Sequence, residues 1–199
     1  MDDIRNVQLA RVYDVAVETP LTRAAKLSAT TGSELYLKRE DLQPVHSFKI
    51  RGAYNRLVHM TPDERARGVI AASAGNHAQG VALGANRLGI ESTIVMPRTT
   101  PAIKVEAVRG HGARVVLVGD SFSDAYAHAE ALVQETGATF IHPFDDPFVI
   151  AGQGTVGREI LEQLPDVTHI FVPVGGRRAP RRNRAVRQAV EARRGGDWR

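Results

Sequence analysis

An α/β fold with open, doubly wound, mostly parallel sheets is what the sequence predicts. From about residue 34, short β-branched runs alternate with longer amphipathic stretches, at spacings that suit βαβ units better than hairpins. Most of the runs are nearly continuous in apolar residues, as parallel strands covered on both faces require. Helix start and stop signals fall between them. A chain of 199 residues with 43% hydrophobic content can bury a core of that kind.

Taken in order, strands are expected at 34–38, 69–72, 92–96, 113–118, 139–142 and 169–174. A helix opens within 46–54. Thr61, Pro62, Asp63 and Glu64 form a capping box with Pro at the first helical position, so Thr61 and Glu64 each satisfy a backbone N–H of the first turn. A helix over 76–88 follows the second strand and is stopped by Gly89. Thr100 and Pro101 start another, which runs through Val105 and Val108 to Gly110 or Gly112. Ser121 opens an Ala-rich helix that Gly137 stops, because Gly takes a left-handed conformation most readily. After Gly176 the pattern collapses. Residues 177–199 are dominated by Arg, Gly and Pro and are expected to be disordered, or a frayed helix at most.

The net charge of +4 is unevenly spread. Nine Arg against Glu191 and Asp197 fill 177–199, which leaves the rest of the chain mildly acidic. Nonspecific attraction to nucleic acid through Arg177, Arg178, Arg181, Arg182, Arg184 and Arg187 is thus confined to the tail, which has no aromatic before Trp198. Specific nucleic-acid recognition is not expected. No run of eighteen apolar residues exists to span a membrane. The start, with Asp2 and Asp3 and no apolar stretch, is neither a secretory signal nor an Arg-rich transit peptide, so the cytoplasm is the expected location. The absence of cysteine excludes disulfides, thiolate chemistry and the usual zinc clusters, and no metal site is expected.

Three constellations carry chemistry. The first is His46-Ser47-Phe48-Lys49-Ile50-Arg51-Gly52-Ala53-Tyr54. Of the four lysines, Lys26, Lys38, Lys49 and Lys104, Lys49 is flanked on both sides by large apolar residues, Phe48 and Ile50. Desolvation there would lower its pKa and keep part of the amine neutral, as a Schiff-base nucleophile requires. The spacing alone also suits a helix lysine that snorkels to solvent. The second is Ser73-Ala74-Gly75-Asn76-His77-Ala78, a strand-to-helix turn whose backbone N–H groups suit a carboxylate or phosphate. There Ser73 equally suits a plain N-cap and His77 a surface position. The third is Val172-Pro173-Val174-Gly175-Gly176 at the carboxyl end of the last expected strand, where open α/β sheets place ligands. By itself it also suits an ordinary turn.

Together these stretches resemble a family. Lys38-Arg39-Glu40-Asp41-Leu42-Gln43-Pro44-Val45-His46-Ser47-Phe48-Lys49-Ile50-Arg51-Gly52-Ala53-Tyr54, followed by 72–82, is similar to threonine ammonia-lyase (threonine dehydratase), of the second fold type of pyridoxal-phosphate enzymes, which is tryptophan-synthase-β-like. Val95-Met96-Pro97, 103–110, Pro143-Phe144-Asp145-Asp146-Pro147 and Ile150-Ala151-Gly152-Gln153-Gly154-Thr155 agree in the same order. The resemblance covers residues 10–176, and Gln-Pro-Val-His before Ser-Phe-Lys resembles the biosynthetic branch, which makes 2-oxobutanoate for isoleucine. It implies pyridoxal 5'-phosphate as cofactor and Lys49 as the catalytic aldimine lysine. Phe48 would lie beside the ring, and Asn76 would bond its 3-hydroxyl oxygen. Ser73, Ala74, Gly75, Asn76 and His77 would hold the substrate carboxylate, and Gly175 and Gly176 would start a phosphate cradle. The substrate implied is L-threonine, with L-serine as a second, and relatives of this kind are homo-oligomers, commonly tetramers. A catabolic dehydratase or a racemase is the neighbouring reading on the same site.

The resemblance also implies a domain plan: 1–50 begins a large domain, 51–148 is a small α/β domain, 149–176 returns to the large one, and 177–199 is the Arg-rich tail. The family continues Gly-Gly-Gly-Gly-Leu, whereas here Arg177-Arg178-Ala179-Pro180 follows Gly176. That departure has the look of out-of-frame translation. The expectation is therefore a truncated chain that is inactive by itself.

Overall fold

The computed structural model describes residues 2–172. Gly175, Gly176, the tail 177–199 and the end of the last expected strand lie outside the described residues. In chain order the elements are α1 (Asp2–Gln8), β1 (Leu21–Arg23), α2 (Ala25–Thr31), β2 (Tyr36–Lys38), a 3-10 turn (Glu40–Leu42), α3 (Lys49–Val58), α4 (Pro62–Ala66), β3 (Val69–Ala72), α5 (Asn76–Arg87), β4 (Ser92–Met96), α6 (Ala102–Gly110), β5 (Arg114–Leu117), α7 (Phe122–Thr136), β6 (Thr139–Phe140) and α8 (Pro147–Gln163).

The centre is a four-stranded sheet of order β5-β4-β3-β6, parallel throughout. Along β3 the side chains alternate. Val69 and Ala71 enter a core with Ala53 and Leu57 of α3, Val81 and Ala85 of α5 and Val105 of α6, while Ile70 and Ala72 meet Ala125 and Ala129 of α7 on the other face. Both faces are covered, which is why the strands read as continuous apolar runs. The doubly wound α/β fold is as expected, and the turns after β3, β4, β5 and β6 gather at the carboxyl end of the sheet, where the chemistry-bearing residues sit.

Local signals fix several boundaries. Thr61 accepts from the Glu64 backbone N–H while the Glu64 carboxylate accepts from the Thr61 N–H, closing the expected capping box. Ser121 and Asp124 do the same for α7, and Gly137 ends it at φ 68°. Gly89, at φ 66°, follows the last turn of α5.

Two expected strands are corrected. The 34–38 strand shortens to β2 and pairs antiparallel with β1, from Leu21 opposite Lys38 to Arg23 opposite Tyr36, a partner too short to show periodicity in the sequence. Residues 169–172 of the expected 169–174 strand take no regular structure. Among the described residues no ladder partner lies beside them, and Phe171 is 88% exposed. The sheet strands 113–118 and 139–142 also narrow, the latter because His142 leaves the ladder to build a turn.

Candidate active site

Lys49 is the first residue of α3, and the chain leading to it is held by buried polar groups. The Gln43 amide, 1% exposed, accepts from Val17 N (2.9 Å) and donates to Val17 O (2.8 Å), in the manner of a strand neighbour. His46 has φ 53°, alone among the described non-glycine residues in being positive, and its ring Nδ1 lies 3.1 Å from Asp41 O. Ser47 is buried, and its Oγ accepts from Lys49 N at 3.3 Å. The turn thus delivers Lys49 half-buried, with Nζ donating to the Pro143 carbonyl at 2.7 Å and lying 5.6 Å from the centre of the Phe48 ring.

The 73–77 turn comes to the same place. Ser73 N donates to Val95 O, tying the turn to the end of β4, and Ser73 Oγ accepts from Gly75 N at 3.3 Å. The N-cap of α5 is Gly75 rather than Ser73, a residue with no side chain to bond the first-turn amides. A Cβ built on Gly75 would meet no atom within 4 Å, so a ligand can approach that backbone closely. Asn76 is exposed beside it. His77 is only 3% exposed, which removes the surface reading, and its Nε2 sits 2.9 Å from Ile141 O. Because a carbonyl can only accept, Nε2 carries the hydrogen.

Two observations bring Lys49 and the 73–77 turn together. Their side chains bond to carbonyls two residues apart, Pro143 and Ile141, on the segment that leaves β6. A Cβ on Gly80 would stand 3.2 Å from Lys49 O and from Ile50 N and Cα, a tight contact, so glycine lets the second turn of α5 lie close against the first turn of α3 without the backbone giving way. His142, which the sequence reading did not single out, shapes the carbonyl segment: its Nδ1 accepts from Asp145 N at 2.7 Å and Phe144 N at 3.3 Å. A His followed by a Pro at the end of a strand was the available signal.

Chemically, the arrangement offers a primary amine fixed at one end of a helix and an anion-seeking turn at the head of another. The amine suits an aldehyde, and the turn suits a carboxylate. Both ends of a pyridoxal-type reaction fit these residues, while the glycines expected for a phosphate lie outside the described part. Among the described residues no helix is long and apolar enough to cross a membrane.

The profile of the pyridoxal-phosphate dependent enzyme family matches residues 12–177. The chain belongs to this family. Its cofactor is pyridoxal phosphate, as expected from the sequence. The biosynthetic L-threonine dehydratase of Burkholderia multivorans is 58% identical over 179 residues, which cover 88% of this chain and 35% of that protein. Among solved structures, the processed form of threonine deaminase isoform 2 from Solanum lycopersicum superposes with a TM-score of 0.91 at 47% identity, over 98% of this chain and 53% of that one. Maize serine racemase does so with a TM-score of 0.89 at 36% identity, over 98% of this chain and 58% of that one. The chain thus spans about a third of the Burkholderia relative and about half of each superposed structure.

Proposed function

We propose that these residues serve the deamination of L-threonine to 2-oxobutanoate and ammonia, the first step of isoleucine biosynthesis, by a cytoplasmic homo-oligomer, a tetramer, that also accepts L-serine. The observation that carries the reading is the Lys49 amine held on Pro143 O beside the 73–77 turn with its Gly75 N-cap. The higher identity to the Burkholderia dehydratase than to the maize racemase favours deamination over racemisation.

Pyridoxal phosphate, when bound, supplies an electron sink that makes an amino acid's Cα proton removable. The Lys49 amine, kept at the head of α3 by the Ser47 turn, would hold the group by its aldehyde end and would serve as the base that moves the Cα proton. Ser73, Ala74, Gly75, Asn76 and His77 hold the substrate carboxylate through backbone and side-chain donors, orienting the Cα–H bond. Asn76 would also bond the ring's 3-oxygen, Phe48 would lie beside the ring, and Gly175 and Gly176 would begin the phosphate contact. His77 is kept from swinging by its bond to Ile141 O, so the turn is pre-set rather than formed on binding. In this reading 51–148 forms the small domain, and 1–50 and 149–176 contribute to a larger one.

The test replaces the matching segment of the Burkholderia dehydratase with residues 10–176 of this chain. The chimera should release 2-oxobutanoate from threonine, and its Lys49→Ala form should release none and give no borohydride-reducible adduct with pyridoxal phosphate. Turnover that survives Lys49→Ala would defeat the assignment. The 199-residue chain alone, with Arg177 and Arg178 in place of further cradle glycines, is expected to give no stable adduct absorbance.

A further inference from the structure

On the opposite side of α3 from Lys49 lies a buried ion network that the reaction above does not use. Arg51 follows Lys49 by two residues, so its side chain leaves the helix about 200° further round the axis. Its side chain is 0% exposed, and every N–H direction of the guanidinium is taken. Nε and Nη2 donate to Glu40, each at 2.8 Å, and Nη1 donates to Glu159 Oε1 at 2.5 Å and Thr155 Oγ1 at 3.1 Å. Nη2 also reaches Glu159 Oε2 at 3.0 Å and Val17 O at 3.1 Å.

Glu159, equally buried, is shared with Lys38 Nζ at 2.6 Å and accepts from Tyr13 OH at 2.7 Å. Lys38 Nζ spends its other hydrogens on Thr19 O and Gln163 Oε1. Two cations and two carboxylates therefore balance, with the Arg51 and Glu159 side chains fully buried and those of Lys38 and Glu40 nearly so. Burial works against the Arg51 charge, but its hydrogen bonds to Glu40 and Glu159 outweigh it and hold its pKa above the ordinary range. For Glu159 burial is likewise outweighed, by Arg51, Lys38 and Tyr13, and its pKa is lowered.

The network joins the arm before β1, the end of β2, the 3-10 turn and α8 to one face of α3. A planar fork bonded on all sides fixes the roll of that helix in a way a point charge cannot. Roll sets where Lys49 points. We propose that Arg51 is a positioning residue for Lys49: by locking the roll of α3 through Glu40 and Glu159, it lays the Lys49 amine on the Pro143 carbonyl beside the 73–77 turn. The importance of that placement rests on the proposed function, but the placement itself does not need the cofactor.

The test therefore uses none. The full chain is labelled with traces of acetic anhydride, and acetylation of each lysine is read by peptide mass spectrometry. The exposed Lys26 and Lys104 serve as internal standards. In the native chain Lys49 should react more slowly than either. The double variant Arg51→Met/Glu159→Leu removes one charge of each sign and keeps apolar volume, which preserves folding better than either single change. In the folded double variant the ratio of Lys49 to Lys104 labelling should rise about threefold or more, the rate equivalent of one lost hydrogen bond. Glu159→Gln should move it the same way by less.

A purely structural role would leave the ratio at its native value in a folded double variant, and that result overturns the proposal. If the double variant does not fold by circular dichroism, an unchanged ratio in Glu159→Gln overturns it equally. Failure of the function reading shows elsewhere, as threonine turnover in the Lys49→Ala chimera.

Discussion

The two faces of the central sheet are built by different rules. On one, α7 lays Ala125 and Ala129 over Ile70, Ala72 and Val95, with a capping box at its start and a left-handed glycine at its end. On the other, α3 is gripped between α5 and α8 by residues whose identity matters atom by atom. A Cβ on Gly52 would stand 2.6 Å from Val149 O, one on Gly152 would stand 2.6 Å from Arg51 O, and beside this crossing lies the Arg51 network. The first face tolerates exchange among residues of similar size. The second does not, and it is the one that carries Lys49.

That contrast predicts unequal responses to substitution. The largest should follow Glu159→Ala, which leaves Arg51 and Lys38 buried with Glu40 alone; breaking a buried pair in this way costs about 3–5 kcal/mol, read from urea unfolding. The milder Glu159→Gln should show itself through pH. The Glu159 pKa is depressed below its model-compound 4.5, so the stabilisation it gives is complete above that value and is lost as pH falls through the lower, folded-state value. The native melting temperature should therefore fall more steeply in acid than that of Glu159→Gln. Glu64 and Asp124 are also depressed but are present in both proteins, so the difference isolates Glu159. Parallel acid limbs would contradict the network's ionised state. Next in size, Gly152→Ala forces α8 off the α3 backbone and should cost about 1–3 kcal/mol as overpacking. A fall in the urea midpoint too small for that range would mean the crossing is looser than drawn.

The same contrast decides what was legible in the sequence. The α7 face was readable because its signals are local: Ser121, the alanine pattern and Gly137 lie within one helix, and β3 and β4 begin and end where their apolar runs do. The α8 helix was not read, although Asp146 caps it and Pro147 opens it, because Gly152, Gly154 and Gly157 weaken the helical pattern and at least Gly152 answers a partner a hundred residues away. Arg51 and Glu159 look like any solvated helix charges until the fold brings them together. Of the site, Lys49 and the 73–77 turn were legible as types in an order. That both bond to the carbonyls around His142 depends on β6 pairing with β3, which no local pattern encodes.

The smallest effect should come from the α7 face, and it sharpens the comparison by its confinement. Ser121→Ala removes the hydroxyl that accepts from Asp124 N at 3.2 Å, while Asp124 can still accept from the amides of residues 120 and 121. Losing one such cap costs about 0.5–2 kcal/mol, and the survival of the Asp124 half of the box places the change at the low end. Hydrogen exchange should quicken over the first turn of α7 and stay unchanged at Lys49 and the 73–77 turn, because the sheet stands between the two faces. Faster exchange at the head of α3 in this variant would show that the faces are coupled after all, and that rigidity at Lys49 is a property of the whole sheet rather than of the grip on α3.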